Sequence, residues 1–332
     1  MLARNYRLFT IAALVALASC DGGESPLSPA GDPAVPESED AAAPAAELVG
    51  DPDQTLAALT GQRIAFSSNR TGTRDIYLMD PQGTQLKRIT TAAAVESEPA
   101  WSWDNKRIAL VRPRKDASNV THNDIYIINA DGTNGHWWRP TPSPYNLSSP
   151  AWAPDGSEIL VTVSLHADVY PAWLNLPGVT LGFYSDGMGG TLKGKDPSYN
   201  PAGDHITYVG SQGKTLDVMT VNGNEHKVLL YDPHASLSRP VFSPDGKRIA
   251  LSMNDTDGRV QIFVRNANAA LVRLTATTTG VNLYPSWSPD GSKITFMSTR
   301  IGSNQIWIMS ATGASPKRLH ISSYDTQPAF SH

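Results

Sequence analysis

One short phrase recurs six times along this 332-residue chain. It reads Pro99-Ala100-Trp101-Ser102, Pro150-Ala151-Trp152-Ala153 and Pro197-Ser198-Tyr199-Asn200, then Pro240-Val241-Phe242-Ser243, Pro285-Ser286-Trp287-Ser288 and Pro328-Ala329-Phe330-Ser331. Successive prolines lie 51, 47, 43, 45 and 43 residues apart. That period fits a four-stranded propeller blade and is far too long for a leucine-rich repeat.

Each period holds the same parts in the same order. The short aromatic strand is followed by a tight turn, clearest in Pro154-Asp155-Gly156, Pro244-Asp245-Gly246 and Pro289-Asp290-Gly291. Proline pre-sets φ there, aspartate caps the turn and glycine accepts a positive φ. A second strand follows, such as Arg248-Ile249-Ala250-Leu251, then a third, such as Asp75-Ile76-Tyr77-Leu78-Met79. Asp131-Gly132, Asn222-Gly223 and Thr312-Gly313 mark hairpin turns before a fourth strand such as Val272-Arg273-Leu274. Along the second strand Ile64, Phe66 and Ser68 point one way and Ala65 and Ser67 the other. Large and small faces suit blades stacked on both sides. Trp101, Trp152, Tyr199, Phe242, Trp287 and Phe330 therefore read as packing between blades.

The ends of the repeat predict closure. Arg63 to Thr90 supplies second, third and fourth strands with no aromatic anchor before them, and Pro328 to Ser331 supplies an anchor with nothing after it. Together they make one blade. The fold expected is all-β: a six-bladed propeller of four antiparallel strands per blade, closed by the C-terminal strand in the N-terminal blade, which removes free sheet edges at the joint. Composition agrees. Twenty-six glycines, 25 prolines and one cysteine disfavour a helical bundle, a disulfide scaffold and a multi-span membrane protein.

The anchor, the Pro-Asp-Gly turn and the Ile-Tyr-Leu-Met-Asp third strand resemble the WD40-like repeat of TolB-like propellers, from about Gly61 to the C-terminus. The resemblance implies envelope protein partners that dock near the channel mouth. TolB-like proteins carry an α/β domain before the ring, where a tether is expected here. Similar repeats occur in propellers of prolyl-oligopeptidase-like enzymes and oligogalacturonate lyases, so the motif identifies scaffold before activity.

Ahead of the repeats, Arg4 and Arg7 precede the apolar run Leu8 to Leu17, then Ala18, Ser19 and Cys20. These are the parts of an export signal, and the run is shorter than a membrane span. Leu17-Ala18-Ser19-Cys20 resembles the bacterial lipoprotein box, which implies a lipid on Cys20 and a membrane-anchored, exported protein on the periplasmic side or at the cell surface. The expected organisation is a signal peptide over 1–19, a lipidated cysteine and disordered acidic Ala/Pro-rich tether over 20–60, and the propeller over 61–332. The tether carries nine carboxylates and no Lys or Arg. The propeller has 25 basic and 22 acidic residues, too even a balance to advertise a nucleic-acid surface.

In such a blade, connections two-to-three and four-to-next share one face. The longest insertions fall there: Val111 to Asn123, Arg139 to Ser149 and Leu165 to Val179. They bring Trp138, Tyr145, Tyr170 and Trp173 together with Arg112, Arg114, Lys115 and Arg139, the residue types that anchor protein interfaces. Trp137, alternating with Trp138, is expected in the core. On the same face the residues before each anchor proline ring the channel: Glu98, Ser149, Asp196, Arg239, Tyr284 and Gln327.

Catalytic signals are sparse. Gly210-Ser211-Gln212-Gly213 has the wrong spacing for a nucleophile elbow. His122, His166 and His234, with Asp116, Asp168 and Asp232 nearby, form no linear metal signature. No catalytic residue and no cofactor are assigned. The reading is a lipid-anchored envelope interaction or scaffold module that binds a protein or peptide at the loop-rich face. The alternatives are a metal-dependent carbohydrate lyase or other propeller enzyme, in which those histidines would converge on a metal, and a non-catalytic sugar- or peptide-binding sensor.

Overall fold

The computed structural model describes residues 61–332 apart from 139–143, 177–179, 189 and 320–323. Its strands form six antiparallel four-stranded sheets. Blade 1 combines β24 (Asp325–Phe330) with β1 (Ile64–Thr71), β2 (Thr73–Met79) and β3 (Lys87–Arg88). Blade 2 is β4 (Ser97–Trp101), β5 (Arg107–Lys115), β6 (Thr121–Asn129) and β7 (His136–Trp137). Blade 3 is β8 (Asn146–Trp152), β9 (Glu158–Leu165), β10 (Asp168–Asn175) and β11 (Leu181–Phe183). Blade 4 is β12 (Lys195–Tyr199), β13 (His205–Val209), β14 (Thr215–Thr220) and β15 (Lys227–Tyr231). Blade 5 is β16 (Leu237–Phe242), β17 (Ile249–Asn254), β18 (Val260–Arg265) and β19 (Leu271–Arg273), and blade 6 is β20 (Asn282–Trp287), β21 (Lys293–Ser298), β22 (Gln305–Ser310) and β23 (Lys317–Arg318).

The expected closure is present. Phe330 pairs with Ile64 and Ala329 with Ala65. Beyond the strand, Ser331 N–H donates to Arg63 O at 2.8 Å and Arg63 N–H to Ser331 Oγ at 2.9 Å.

The apolar clusters lie at the seams between blades. One gathers Val111, Ile127 and Trp138 of blade 2 with Trp152, Ile159 and Val161 of blade 3; another joins Leu251 and Phe263 of blade 5 to Val209 and Leu216 of blade 4. The anchors stitch these seams with polar bonds as well. Indole Nε1 of Trp101, Trp152 and Trp287 donates to Ala329 O, Ala100 O and Val241 O, each on the preceding blade, at 3.1–3.3 Å. Arginines that open second strands complete the seam from the other side. Arg107 lies 4.4 Å over the Trp152 ring, and Arg248 4.4 Å over that of Trp287. Five anchors are buried as expected, while Phe242 is only half-buried.

The turns obey their chemistry. Gly156, Gly246 and Gly291 have φ between 65 and 70°. Asp245 and Asp290 accept the N–H of Lys247 and Ser292, and Ser243 and Ser288 Oγ accept the N–H that opens the second strand. With both ends of each turn satisfied, the backbone reverses without orphaned polar groups.

Two stretches expected as loops are mostly strand. Within Val111 to Asn123, β5 and β6 extend their ladder to Lys115↔Thr121, leaving a five-residue turn that Asp116 Oδ1 holds through the N–H of Ser118 and Val120. Within Leu165 to Val179, β10 begins at Asp168 after a turn at His166, φ 54°. Hydrophobic alternation fades at the tips because both faces there meet polar groups, so the length reads as loop although the ladder continues. The face is raised by paired hairpins instead.

Candidate functional site

The inner strands enclose a cavity of about 550 Å³. At one end stand the six residues before the anchor prolines, and each has left-handed backbone, with φ from 53 to 58°: Glu98, Ser149, Asp196, Arg239, Tyr284 and Gln327. The ladder register shifts at every one of these Xaa-Pro pairs. Proline has no N–H to give, so the inner strand bulges there and releases the preceding residue's backbone from the sheet.

The N–H groups released at Glu98, Ser149, Asp196 and Arg239 are taken up by side chains of other blades, that of Asp196 by Thr162 Oγ1 at 2.8 Å. Gln327 Oε1 accepts from Glu98 N–H at 3.0 Å, Glu98 Oε2 accepts from Ser149 N–H, and Asp196 Oδ2 accepts from Arg239 N–H at 3.2 Å. Ser149 Oγ donates to Asp196 Oδ1 at 2.7 Å. Left-handed backbone costs a non-glycine residue roughly 1–2 kcal/mol, and these bonds help to hold it.

Arg239 spans the opening. From blade 5 its Nη2 reaches Glu98 Oε1 on blade 2, the opposite blade, at 2.7 Å, and its Nε lies 3.3 Å from Asp196 Oδ1. The Tyr284 ring sits 5.1 Å from the guanidinium carbon. Burial alone would lower the Arg239 pKa; Glu98, Asp196 and Tyr284 raise it on balance, so the cation is locked in. The mouth as a whole carries two carboxylates against one arginine. At the far end Trp103 and His332 stack at 4.0 Å, and Asn105 brackets the His332 backbone.

The raised sector beside the mouth is more consolidated than expected. Trp138 is buried in the blade 2–3 seam, where its Nε1 donates to buried Asp124 Oδ1 at 2.9 Å. Trp137, expected in the core, is half-buried on the other side, edge-on to Tyr126 at 5.1 Å. The two exchange roles because β7 ends at Trp137 and the chain then turns Trp138 inward towards Asp124. Arg112 pairs with buried Glu96 and lies 3.5 Å over Tyr126, while Arg114 lies 4.7 Å over Trp137 and 3.9 Å from Asp124. Tyr145 and Tyr170 both meet Phe183 edge-on, at 6.4 and 6.1 Å. Trp173 packs over Gly182, where an added Cβ would fall 2.0 Å from its ring, and belongs to the blade 3–4 seam. Lys115 is exposed at the hairpin tip, and Arg139 lies outside the described residues.

Of the histidines, His122 Nε2 lies 3.2 Å from Asp116 Oδ2 and His234 N–H donates to Asp232 Oδ1. Among the described residues no three His, Cys, Asp or Glu side chains gather as metal ligands. Sequence reasoning missed Glu96, Asp124 and Phe183, which hold the sector together. Glu96 lies just before β4 and Asp124 within β6 directly across from Arg112 of β5, a charge pairing visible only once the strands are in register.

Residues 194–332 match the TolB beta propeller domain, PD40. Over blades 4 to 6 the ring is similar to a TolB propeller. TolB from Acinetobacter baumannii superposes with a TM-score of 0.67 at 21% identity, over 81% of this chain and 66% of that one. The TolB homolog of Chlorobaculum tepidum is 27% identical over 113 residues, 32% of this chain and 23% of its own length. The uncharacterized peptidase YuxL of Bacillus subtilis is 27% identical over 215 residues, 62% of this chain and 29% of that protein. The chain thus spans less than a third of the length of the curated relatives it matches.

Proposed function

We propose that this chain is a cell-envelope protein-interaction module whose docking site is the mouth ringed by Glu98, Ser149, Asp196, Arg239, Tyr284 and Gln327. The observation that carries the reading is convergence: six blades each deliver one side chain, from a backbone held in left-handed conformation, to the rim of a 550 Å³ cavity. A polar rim over an apolar hollow suits an extended partner segment, with Arg239 and the two carboxylates as its charge readers. The neighbouring sector offers Lys115, Arg112, Arg114, Tyr145 and Tyr170 as a second contact zone. The TolB-like ring supports an envelope setting, and lipidation of Cys20 would tether the module to a membrane.

A photo-crosslinking residue at Tyr284, compared with one at Val272 on the outer strand β19, tests the site in intact envelopes. A defined protein adduct is expected from position 284, absent from position 272 and lost in Arg239→Ala. Equal adducts from both positions would sink the reading. For the anchor, Cys20→Ser is expected to abolish incorporation of a fatty-acid label and to release the protein from membranes.

A further inference from the structure

Blade 5 departs from its siblings at one core position. In every blade the second strand has an isoleucine at its first or second position: Ile64, Ile108, Ile159, Ile206, Ile249 and Ile294, all buried. Five of them face, on the third strand, Met79, Ile128, Leu174, Met219 and Met309, each at most 2% exposed. Ile249 faces Arg265. An arginine in a repeated apolar position places a cation where the fold calls for a methionine or leucine.

A second cavity, of about 250 Å³, opens beside that arginine at the blade 4–5 seam. Val218, Leu229 and Phe242 give it an apolar wall, and Arg265 and Lys247 give it a cationic side beside the His205 ring. The same opening leaves Phe242 half-buried where the other anchors are covered. Arg265 Nε donates to Leu229 O at 3.2 Å, while Nη1 reaches Asn266 O only at 3.5 Å. It pairs with no carboxylate among the described residues, whereas Arg70, Arg112 and Arg239 each face one. Two acids next in sequence to pocket residues are engaged elsewhere: Asp204 holds His205 Nδ1 and Asn200, and Asp245 caps its own turn. Burial accordingly pulls the Arg265 pKa below its usual value, with no anion to restore it.

We infer that this seam pocket binds a small carboxylate with an apolar body, its carboxylate forked by Arg265 and its body laid on Phe242 and Leu229. Guanidinium matches carboxylate geometry with two parallel bonds, and a partly desolvated, uncompensated cation gains most from an anion. The volume admits roughly eight water-sized groups. The pocket lies among the turns that follow the inner strands, at the opposite end from Arg239, so its test is independent of the reading of the mouth.

Phenylacetate serves as the probe, titrated into the full-length chain by ligand-observed NMR, with phenylacetamide as its neutral counterpart. Saturable binding of the acid is expected, with the amide at least about tenfold weaker, a factor that corresponds to ~1.4 kcal/mol. Arg265→Met restores the residue type of the other blades, so it is expected to melt no lower than the parent while losing at least about tenfold in affinity for the acid. Short peptides ending in phenylalanine, with free or amidated carboxyl groups, distinguish a chain terminus from a free acid as the source. Binding that does not saturate, or that is equal for acid and amide, or unchanged in a folded Arg265→Met protein, would overturn the assignment.

Discussion

Arg239 touches two carboxylates on two other blades, and its removal leaves both facing one another across a partly dry opening. Breaking such a cluster from one side costs about 2–3 kcal/mol, more than the pairs contribute when complete. Arg239→Ala is therefore expected to lower the denaturant midpoint without changing the slope, and Arg239→Lys to recover only part, since one ammonium cannot fork between Glu98 and Asp196. The turn aspartates behave differently. Bonds from Ser288, Ser292 and the Ser292 N–H hold Asp290 down at about 2, and Asp245 is lowered by Ser243 and by the Lys247 N–H. A depressed carboxyl stabilises the fold fully above its unfolded pKa, near 3.8, and that contribution fades as pH falls towards 2. Melting temperature measured from pH 5 down to 2 should drop less steeply in Asp290→Asn than in the parent.

At the scale of the strand, the extended β5–β6 hairpin is the element to alter. Its tip from Lys115 to Thr121 is largely exposed, and its ladder below is anchored by Arg112 on Glu96 and Arg114 near Asp124. Replacing Lys115 to Thr121 by an Asn-Gly turn, which keeps Arg112 and Arg114, is expected to shift the melting temperature by only a few degrees. What was legible in the sequence follows the same division. Blade count, turn chemistry and closure rest on short-range patterns repeated six times, so the residues announce them. The extent of the hairpins and the parity of Trp137 and Trp138 depend on where a ladder stops, and a polar tip removes the alternation that would mark it. Arg265 was within reach: aligning Ile-Tyr-Leu-Met, Ile-Tyr-Ile-Ile and Ile-Trp-Ile-Met against Ile-Phe-Val-Arg exposes the misfit. The mouth positions were identified by their place before proline, but their left-handed backbone and the bond from Arg239 to the opposite blade needed coordinates.

For the ring as a whole, stability hangs on the joint in blade 1. Phe330 is buried between blades 6 and 1, and its replacement by alanine should cost about 3–5 kcal/mol, the range for deleting a packed aromatic. Removing residues 327–332 is expected to be worse, because β1 then keeps an unpaired edge and Glu98 loses its partner Gln327; limited proteolysis would read this as cleavage in blade 1 first. The same joint sets a timetable for the newborn chain. Inner strands β4, β8, β12, β16 and β20 are each followed at once by their hairpin partners, but β1 waits for a strand made last, and Arg63 meets Ser331 across 268 residues. Until then blade 1 shows bare backbone to every other chain nearby, so a holding chaperone has its longest appointment with the first strand of the ring.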